Sequence, residues 1–157
     1  MRTPNVPFLI EYARAVGATP APVAFAEVYL ALQTKQVDAQ ENPLPTIEAA
    51  KLYEVQKYIA LTGHFIASSS ILLGDKTWKK LSDNEKKWVT DAVKAGGVVS
   101  SGLVAEAEGK LVEFFKSKGL TISSPDTAPF REAMRPYYDK LEEEFGKGEI
   151  QKIIATR

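Results

Sequence analysis

The 157-residue sequence contains no cysteine and only one histidine, His64. Disulfides and cysteine-ligated metals are therefore excluded, and a zinc site would lack the two or more His or Cys ligands that it needs. Glycine-rich phosphate loops are also missing, so we expect neither a metal nor a nucleotide cofactor. No Gly-x-Ser-x-Gly elbow accompanies the serines 68–70 near His64. An enzyme is therefore not favoured, and a small α/β hydrolase that uses His64 is the weakest of three hypotheses.

The sequence also lacks an excess of charge of either sign, because 20 basic residues balance 20 acidic ones. Nucleic acids and anionic membrane surfaces attract proteins with a basic excess, so we expect neither as a partner. The longest apolar stretch, residues 59–73, is interrupted by Gly63, His64 and three serines, which makes it too polar to span a bilayer. Apolar residues make up 45% of the chain and charged residues 25%, as is typical of folded globular proteins.

Apolar spacing and cap residues predict helices that alternate with short strands. Ser82 and Glu85 form a capping box before the longest helix, in which Gly96-Gly97 predicts a kink or a close backbone contact. The alternation indicates an α/β architecture, although four strands are few for a doubly wound sheet, so part of a larger sheet is expected to be absent. The predicted helices are residues 7–16, 25–34, 46–53, 75–81, 83–118, 129–145 and 149–156, and the predicted strands are 37–39, 56–61, 65–73 and 120–123.

A set of short motifs in a fixed order carries a family resemblance. It includes Arg2-Thr3-Pro4-Asn5, Gln40-Glu41-Asn42-Pro43 and Leu61-Thr62-Gly63-His64. The order and spacing resemble the C-terminal half of the solute-binding proteins of tripartite ATP-independent periplasmic (TRAP) transporters, the DctP and sialic-acid-binding-like family. The likeness covers nearly the whole chain, more weakly beyond Trp78. The remaining motifs are residues 17–20, 25–33, 37–39, 53–58 and 136–138.

The resemblance implies a periplasmic-binding-protein-like (type II, Venus-flytrap) fold, in which a long helix lies across two lobes. By that likeness, residues 1–67 form a second-lobe segment, and residues 68–107 form a first-lobe segment with the start of the long helix. Residues 108–157 then return to the second lobe. The family's N-terminal half is not present. The resemblance also implies a periplasmic location, with the signal peptide absent from this chain.

The resemblance implies that Arg2 pairs with the carboxylate of a ligand, because a guanidinium is always charged and offers a planar fork. Without the likeness, a terminal arginine would be expected to be mobile in solvent. Asn42 reaches the same carboxylate by its amide, or is simply a turn residue before proline, and Phe25 packs against the ligand, or belongs to the helix core. A polar network behind the ligand, partly through water, is formed by Asn5, Glu41 and His64.

Three departures from the family pattern limit what the likeness implies. Ala39 stands where many relatives have glycine, which is tolerated unless the backbone φ is positive there. A second binding arginine normally lies upstream of Arg2, and the first-lobe groups that contact the far end of the ligand are absent too.

The implied function is that of the solute-binding subunit of a TRAP transporter, which captures a small organic acid anion and delivers it to the membrane permease. A sugar acid is favoured over a C4-dicarboxylate by the segment Leu61–His64. We expect the missing N-terminal lobe or a second copy of the chain as a further partner, and weak or no ligand binding by the chain alone. The alternative is a truncated, non-binding α/β fragment that self-associates through its sheet edges and exposed lobe interface.

Overall fold

The computed structural model describes residues 1–66 and 68–155, apart from the side chains of Phe145 and Ile154. These residues form a mixed α/β structure, as predicted. Helices α1 to α7 are Pro7–Ala15, Val28–Gln33, Leu44–Ala49, Asp75–Trp78, Asp83–Ser117, Ala128–Phe145 and Glu149–Ala155. Strands β1 to β4 are Arg2–Thr3, Ala21–Pro22, Tyr58–Ala60 and Thr121–Ser123, and single 3₁₀ turns form at Phe25–Glu27 and Leu52–Glu54.

Strand β1 is held by a parallel neighbour on each side. Arg2 pairs with Ala21 of β2, and an isolated parallel bridge joins Arg2 to Gln40. The Arg2 amide donates to the Ala39 carbonyl at 2.7 Å. Helix α1 makes the crossover from β1 to β2, because parallel strands cannot be joined by a tight turn. Arg2 is therefore fixed and buried, and the alternative of a mobile terminal arginine is wrong.

The hydrophobic core lies where the end of α5 meets α2, α3 and the parallel pair β3 and β4. Phe115 of α5 is fully buried, and its ring centroid lies 5.8 Å from that of Tyr53. Phe114 adds an edge-to-face contact with Tyr53 at 5.4 Å. Because Val28 of α2 belongs to the same core, this packing also fixes the turn that precedes α2.

Helix α5 has 35 residues and is about 50 Å long at 1.5 Å per residue. It begins at the predicted capping box, where the Ser82 side chain accepts from the Glu85 amide and the Glu85 carboxylate accepts from Ser82. The helix continues without a break through the glycine pair 96–97. Beyond the adjacent residues and the helix's own neighbouring backbone, no described atom lies within 4 Å of where a Cβ would stand on either glycine, so the expected close backbone contact is not formed.

The apolar segment of residues 65–73 is not a strand, contrary to prediction. Within its described residues, 65, 66 and 68–73, the backbone joins no ladder, and Leu72 is 89% exposed. An apolar run predicts a strand only if a neighbouring strand accepts its hydrogen bonds, and no described segment pairs with this one. The strand predicted at residues 37–39 is likewise reduced to the single bridge at Gln40.

The helix predicted from Thr46 to Tyr53 begins earlier and ends sooner. Helix α3 starts at Leu44, because Pro45 fits the first turn of a helix, where its missing N–H is not needed. After Ala49 the chain turns through Lys51, which has a φ of 53°. The end of the last helix, predicted at Thr156, lies outside the described residues, as does the predicted segment boundary at residue 67. None of the helices that the structure describes is long and apolar enough to cross a bilayer.

Candidate ligand-binding site

The central feature of the site is the side chain of Arg2, which is only 4% exposed. Its Nε donates to the Val23 carbonyl at 3.0 Å, which uses one of the five N–H donors of the guanidinium. No carboxylate of the described residues lies within 4.0 Å of it. Burial lowers the pKa of Arg2, and the nearby Glu41 carboxylate opposes that shift. Arginine nevertheless stays charged, so the site holds a fixed positive charge with donors left for an anion.

The aromatic ring of Phe25 lies beneath this charge, with the Arg2 Cζ 5.9 Å from the ring centroid. A cation over an aromatic face at this distance is attracted to the ring. Phe25 is 49% exposed, so the alternative that it is ordinary helix core is wrong. Its ring lines a shallow apolar cavity of about 360 Å³ together with Pro45, Thr46, Ala49 and Ala50 of α3.

The amide of Asn42 lies beside the strand that carries Arg2. Asn42 Nδ2 donates to Gln40 Oε1 at 2.6 Å, and Gln40 is itself bridged to Arg2. The contribution of Gln40 was not predicted, although the spacing of two residues is typical of side chains on one face of an extended segment. Ala39 does not have a positive φ, so its methyl group is tolerated, as predicted.

Glu41 and His64 form a second, mostly buried polar pair. Their side chains are 10% and 16% exposed, and Glu41 Oε2 lies 3.6 Å from His64 Nε2. The other ring nitrogen, Nδ1, lies 2.6 Å from the Thr62 hydroxyl. The His64 ring stacks on Tyr12, with centroids 4.1 Å apart and planes within 8°. Burial raises the pKa of the Tyr12 phenol, which therefore stays protonated at neutral pH.

Sequence reasoning missed Tyr12 and Thr62 as parts of this site. Thr62 lies within the motif that ends at His64, so its hydroxyl was visible in the sequence. Helical spacing places Tyr12 on the apolar face of α1, but it does not show that a ring from elsewhere stacks on it.

Asn5 is a predicted site residue that the structure does not join to Glu41 and His64. It lies in the exposed bend between β1 and α1, and no hydrogen bond connects it to Glu41 or His64 among the residues described. Its predicted link to them through water stays a prediction.

The contacts of His64 do not form a catalytic dyad. Ser68, Ser69 and Ser70 are exposed, and within residues 1–66 and 68–155 no serine is hydrogen-bonded to His64. In that same part of the chain, no three His, Asp or Glu side chains are grouped so as to hold a metal ion.

Residues 1–144 match the family of bacterial extracellular solute-binding proteins, family 7, known as DctP. The chain belongs to this family of TRAP solute-binding proteins. Its members are solute-binding transport proteins and not enzymes. The resemblance carried by the sequence motifs is therefore confirmed.

Individual relatives place the chain more closely. It is 44% identical to the sialic acid-binding periplasmic protein SiaP of Vibrio cholerae over 155 residues, which are 99% of this chain and 48% of that protein. A TRAP periplasmic solute-binding protein from Roseobacter denitrificans, solved with bound 3-deoxy-D-manno-oct-2-ulosonic acid, matches with a TM-score of 0.84 and 37% identity. That match covers 88% of this chain and 46% of the other.

A third relative, a TRAP periplasmic solute-binding protein from Polaromonas bound to D-erythronate, matches with a TM-score of 0.89 and 33% identity. The match covers 97% of this chain and 50% of that one. The chain therefore spans about half the length of the relatives that it matches. These relatives are named as periplasmic proteins, in agreement with the predicted compartment.

Proposed function

We propose that this chain supplies the carboxylate-binding half of a TRAP transporter's solute-binding subunit, which captures a small organic acid anion in the periplasm and delivers it to the membrane permease. The observation that carries the proposal is the buried guanidinium of Arg2, with no described carboxylate within ion-pair distance. Burying a charge without a partner is costly, so an anionic ligand supplies the missing negative charge.

The arrangement around Arg2 suits a carboxylate group. The guanidinium fork donates to both carboxylate oxygens, and a bidentate pair of this kind is shorter and stronger than a neutral hydrogen bond. One N–H of the Asn42 amide is occupied by Gln40, and the second is available to the ligand. The exposed half of the Phe25 ring packs against the carbon skeleton beside the carboxylate.

We favour a sugar acid over a C4-dicarboxylate as the ligand. SiaP of Vibrio cholerae is named for sialic acid, and the two related crystal structures hold 3-deoxy-D-manno-oct-2-ulosonic acid and D-erythronate. All three compounds join a carboxylate to hydroxylated carbons. The motif Leu61–His64, which suggests the same class, lies next to the proposed site.

In the proposed two-lobed, type II Venus-flytrap arrangement, residues 1–67 and 108–157 belong to the second lobe and residues 68–107 to the first. The distribution of buried residues supports this division. The main core takes its α5 members from residues 107–115 and includes no described residue between 68 and 106. Helix α5 then spans both lobes, and a ligand held between them favours closure by hinge motion.

A second candidate function is that of a non-binding fragment that self-associates. The observation that favours it is the exposure of large apolar side chains on the first two-thirds of α5, where a cavity of about 570 Å³ is lined by apolar residues such as Val99 and Leu103. Uncovered apolar surfaces of this kind are typical of contact sites for another protein surface. An N-terminal lobe like that of the longer relatives and a second copy of the chain are the two partners that would cover it.

The carboxylate proposal is tested by adding D-glucuronate to the 157-residue chain and following the NMR signals of the Arg2 side chain and the His64 ring. We expect weak binding, in roughly the millimolar range or weaker, because the chain spans about half the length of the relatives that it matches. Arg2→Lys keeps the charge but removes the fork, so it should abolish the shifts of the His64 ring, which is the signal that both proteins share. Arg14→Lys, on the exposed surface of α1, is the matched control.

Three outcomes would contradict the proposal. D-Glucose, which lacks the carboxylate, could produce the same shifts as D-glucuronate, or Arg2→Lys could bind as well as the unmodified chain. Calorimetry against uronates, sialate and C4-dicarboxylates supplies the third: micromolar or tighter binding by the chain alone would show that it is not half of a site.

A further inference from the structure

The only histidine of the chain is fixed from three directions. Tyr12 covers one face of its ring, the Thr62 hydroxyl lies 2.6 Å from Nδ1, and Glu41 Oε2 lies 3.6 Å from Nε2. His64 Nε2 is fully buried and has no hydrogen-bond partner at shorter range among the described residues. A neutral imidazole carries one proton, so these neighbours decide which nitrogen holds it.

The chemistry of the two neighbours selects one tautomer. A carboxylate only accepts hydrogen bonds, so an unprotonated Nε2 would place its lone pair opposite the Glu41 oxygen in a site where both side chains are mostly buried. A hydroxyl, by contrast, can donate, and it then satisfies an unprotonated Nδ1. The arrangement with the fewest unmatched groups therefore has the proton on Nε2 and the Thr62 O–H donating to Nδ1.

The position of Glu41 gives this tautomer a consequence for Arg2. Glu41 is close enough to oppose the effect of burial on the guanidinium, yet it makes no ion pair with Arg2 within 4.0 Å. A proton on Nε2 attracts the Glu41 carboxylate toward His64. Glu41 directly follows Gln40, which is bridged to Arg2, so a carboxylate released from His64 could turn toward Arg2 and compete with a ligand for it.

We infer that Tyr12 and Thr62 are positioning residues of the carboxylate site: Tyr12 sets the plane of the His64 ring, and Thr62 selects the tautomer whose Nε2–H faces Glu41 and keeps that carboxylate away from Arg2. The role in ligand binding rests on the proposed function. The tautomer itself is a property of the ligand-free chain and is tested without any ligand.

The first experiment is ¹⁵N NMR of the 157-residue chain labelled at histidine, which reports on His64 alone because the chain has one histidine. We expect Nε2 to be protonated and Nδ1 unprotonated at neutral pH. Thr62→Val keeps the shape and removes the donor, so the ratio of the Nε2–H to the Nδ1–H form should fall about fivefold to tenfold. Thr62→Ser restores a hydroxyl and should recover the original ratio.

A dominant Nδ1–H tautomer in the unmodified chain would overturn the inference. An unchanged tautomer ratio in Thr62→Val would overturn the part assigned to Thr62. A doubly protonated ring at neutral pH would do the same, because the hydroxyl would then accept from Nδ1 and would select nothing.

The second experiment tests Tyr12 by the ring-current shift that a stacked phenol imposes on the His64 carbon-bound protons. Tyr12→Phe keeps the ring and should keep the shift, whereas Tyr12→Leu should lose it. Because Tyr12 is buried, Tyr12→Leu is judged only if its amide spectrum shows a folded chain, and Tyr12→Phe then carries the test. Loss of the shift in Tyr12→Phe would overturn the stacking role.

Measurements with the ligand distinguish a failure of this inference from a failure of the proposed function. Thr62→Val should weaken the D-glucuronate response of the Arg2 signals about fivefold to tenfold, and Thr62→Ser should restore it. A tautomer that changes in Thr62→Val, with D-glucuronate binding equal to that of the unmodified chain, would overturn the positioning role alone. A chain with the expected tautomer in which D-glucose shifts the signals as strongly as D-glucuronate would overturn the proposed function.

Discussion

The region around Arg2 and the first two-thirds of α5 differ in the kind of side chain that each of them buries or exposes. Around Arg2 the structure buries polar groups: the guanidinium is 4% exposed, and Thr3 beside it is fully buried with an unpartnered hydroxyl. Along α5 it exposes apolar ones, such as Val98 at 75%. Most domains bury apolar side chains and pair the polar groups that they bury, so neither region is complete with the described residues alone.

The two regions therefore lack different kinds of partner. A buried cation lacks an anion, and a small ligand can supply it. An exposed apolar helix face lacks a covering surface, which only a further folded element can supply. Since the relatives of this chain are about twice as long, the two deficits fit one proposal, in which a ligand and a first lobe meet the chain on neighbouring sides.

The largest effect should come from truncating a buried side chain at the core end of α5, compared with truncating an exposed one nearer its start. Phe115→Ala removes a fully buried ring from the core, and we expect the free energy of unfolding to fall by about 3–5 kcal/mol. Val98→Ala, at the exposed end, should change it by less than about 0.5 kcal/mol. Urea unfolding of both variants measures the difference. If both variants lost the same free energy of unfolding, residues 84–106 of α5 would be packed as tightly as the end that contains Phe115.

A charge placed on the exposed apolar face of α5 tests whether a second copy of the chain covers that face. If the chain self-associates through α5, Leu103→Lys should weaken the association more than about tenfold, because it places a charge in an apolar contact. Ser101→Lys adds the same charge outside the apolar cavity and serves as the control. Sedimentation equilibrium reports both variants. A clean monomer before any substitution would count against self-association.

The smallest effect concerns Glu142, whose carboxylate accepts from the backbone amides at the start of α7. These include Ile150 at 2.9 Å and Gln151 at 3.2 Å. The bonds lower the pKa of Glu142 below its usual 4.5, with the Gly148 amide as the main cause. The stabilisation is therefore fully present above pH 4.5 and is lost as the pH falls through the lowered pKa.

Hydrogen exchange at the amides of Ile150 and Gln151 measures this effect. We expect their protection to fall several-fold in Glu142→Gln at neutral pH, and Glu143→Gln, on the exposed side of α6, to leave it unchanged. Protection that stays constant in the unmodified chain as the pH is lowered well below 4.5 would contradict the capping role.

The sequence alone predicted the structure correctly where residues that are close together in the chain determine it. Pro7, the capping box at Ser82 and the left-handed Gly119 fix helix ends by chemistry within a few residues, and these ends lie within one residue of the predicted bounds at 7, 83 and 118. Prediction failed where contacts with distant parts of the chain determine the structure. Residues 65–73 have the composition of a strand but no described strand beside them, and the helix predicted from Thr46 begins two residues earlier, at Leu44.

The candidate site shows the same limit. The motif order placed Arg2, Phe25 and Glu41 in one neighbourhood, because a family likeness carries tertiary information that periodicity does not. Tyr12 was missed because its stacking on His64 joins segments 52 residues apart, and nothing in the spacing within α1 distinguishes that ring from a core residue.

Helix α5 is packed into the core at one end only, which makes it a lever. A tilt of about 5° around Phe115 displaces the capping box, roughly 45–50 Å away, by about 4 Å. Pro45 of α3 lines both the cavity under Phe25 and the cavity along α5, so one short helix touches the ligand site and the lever at once. Any tilt of α5 about its core end is therefore amplified along the helix into a displacement of several ångströms at the capping box.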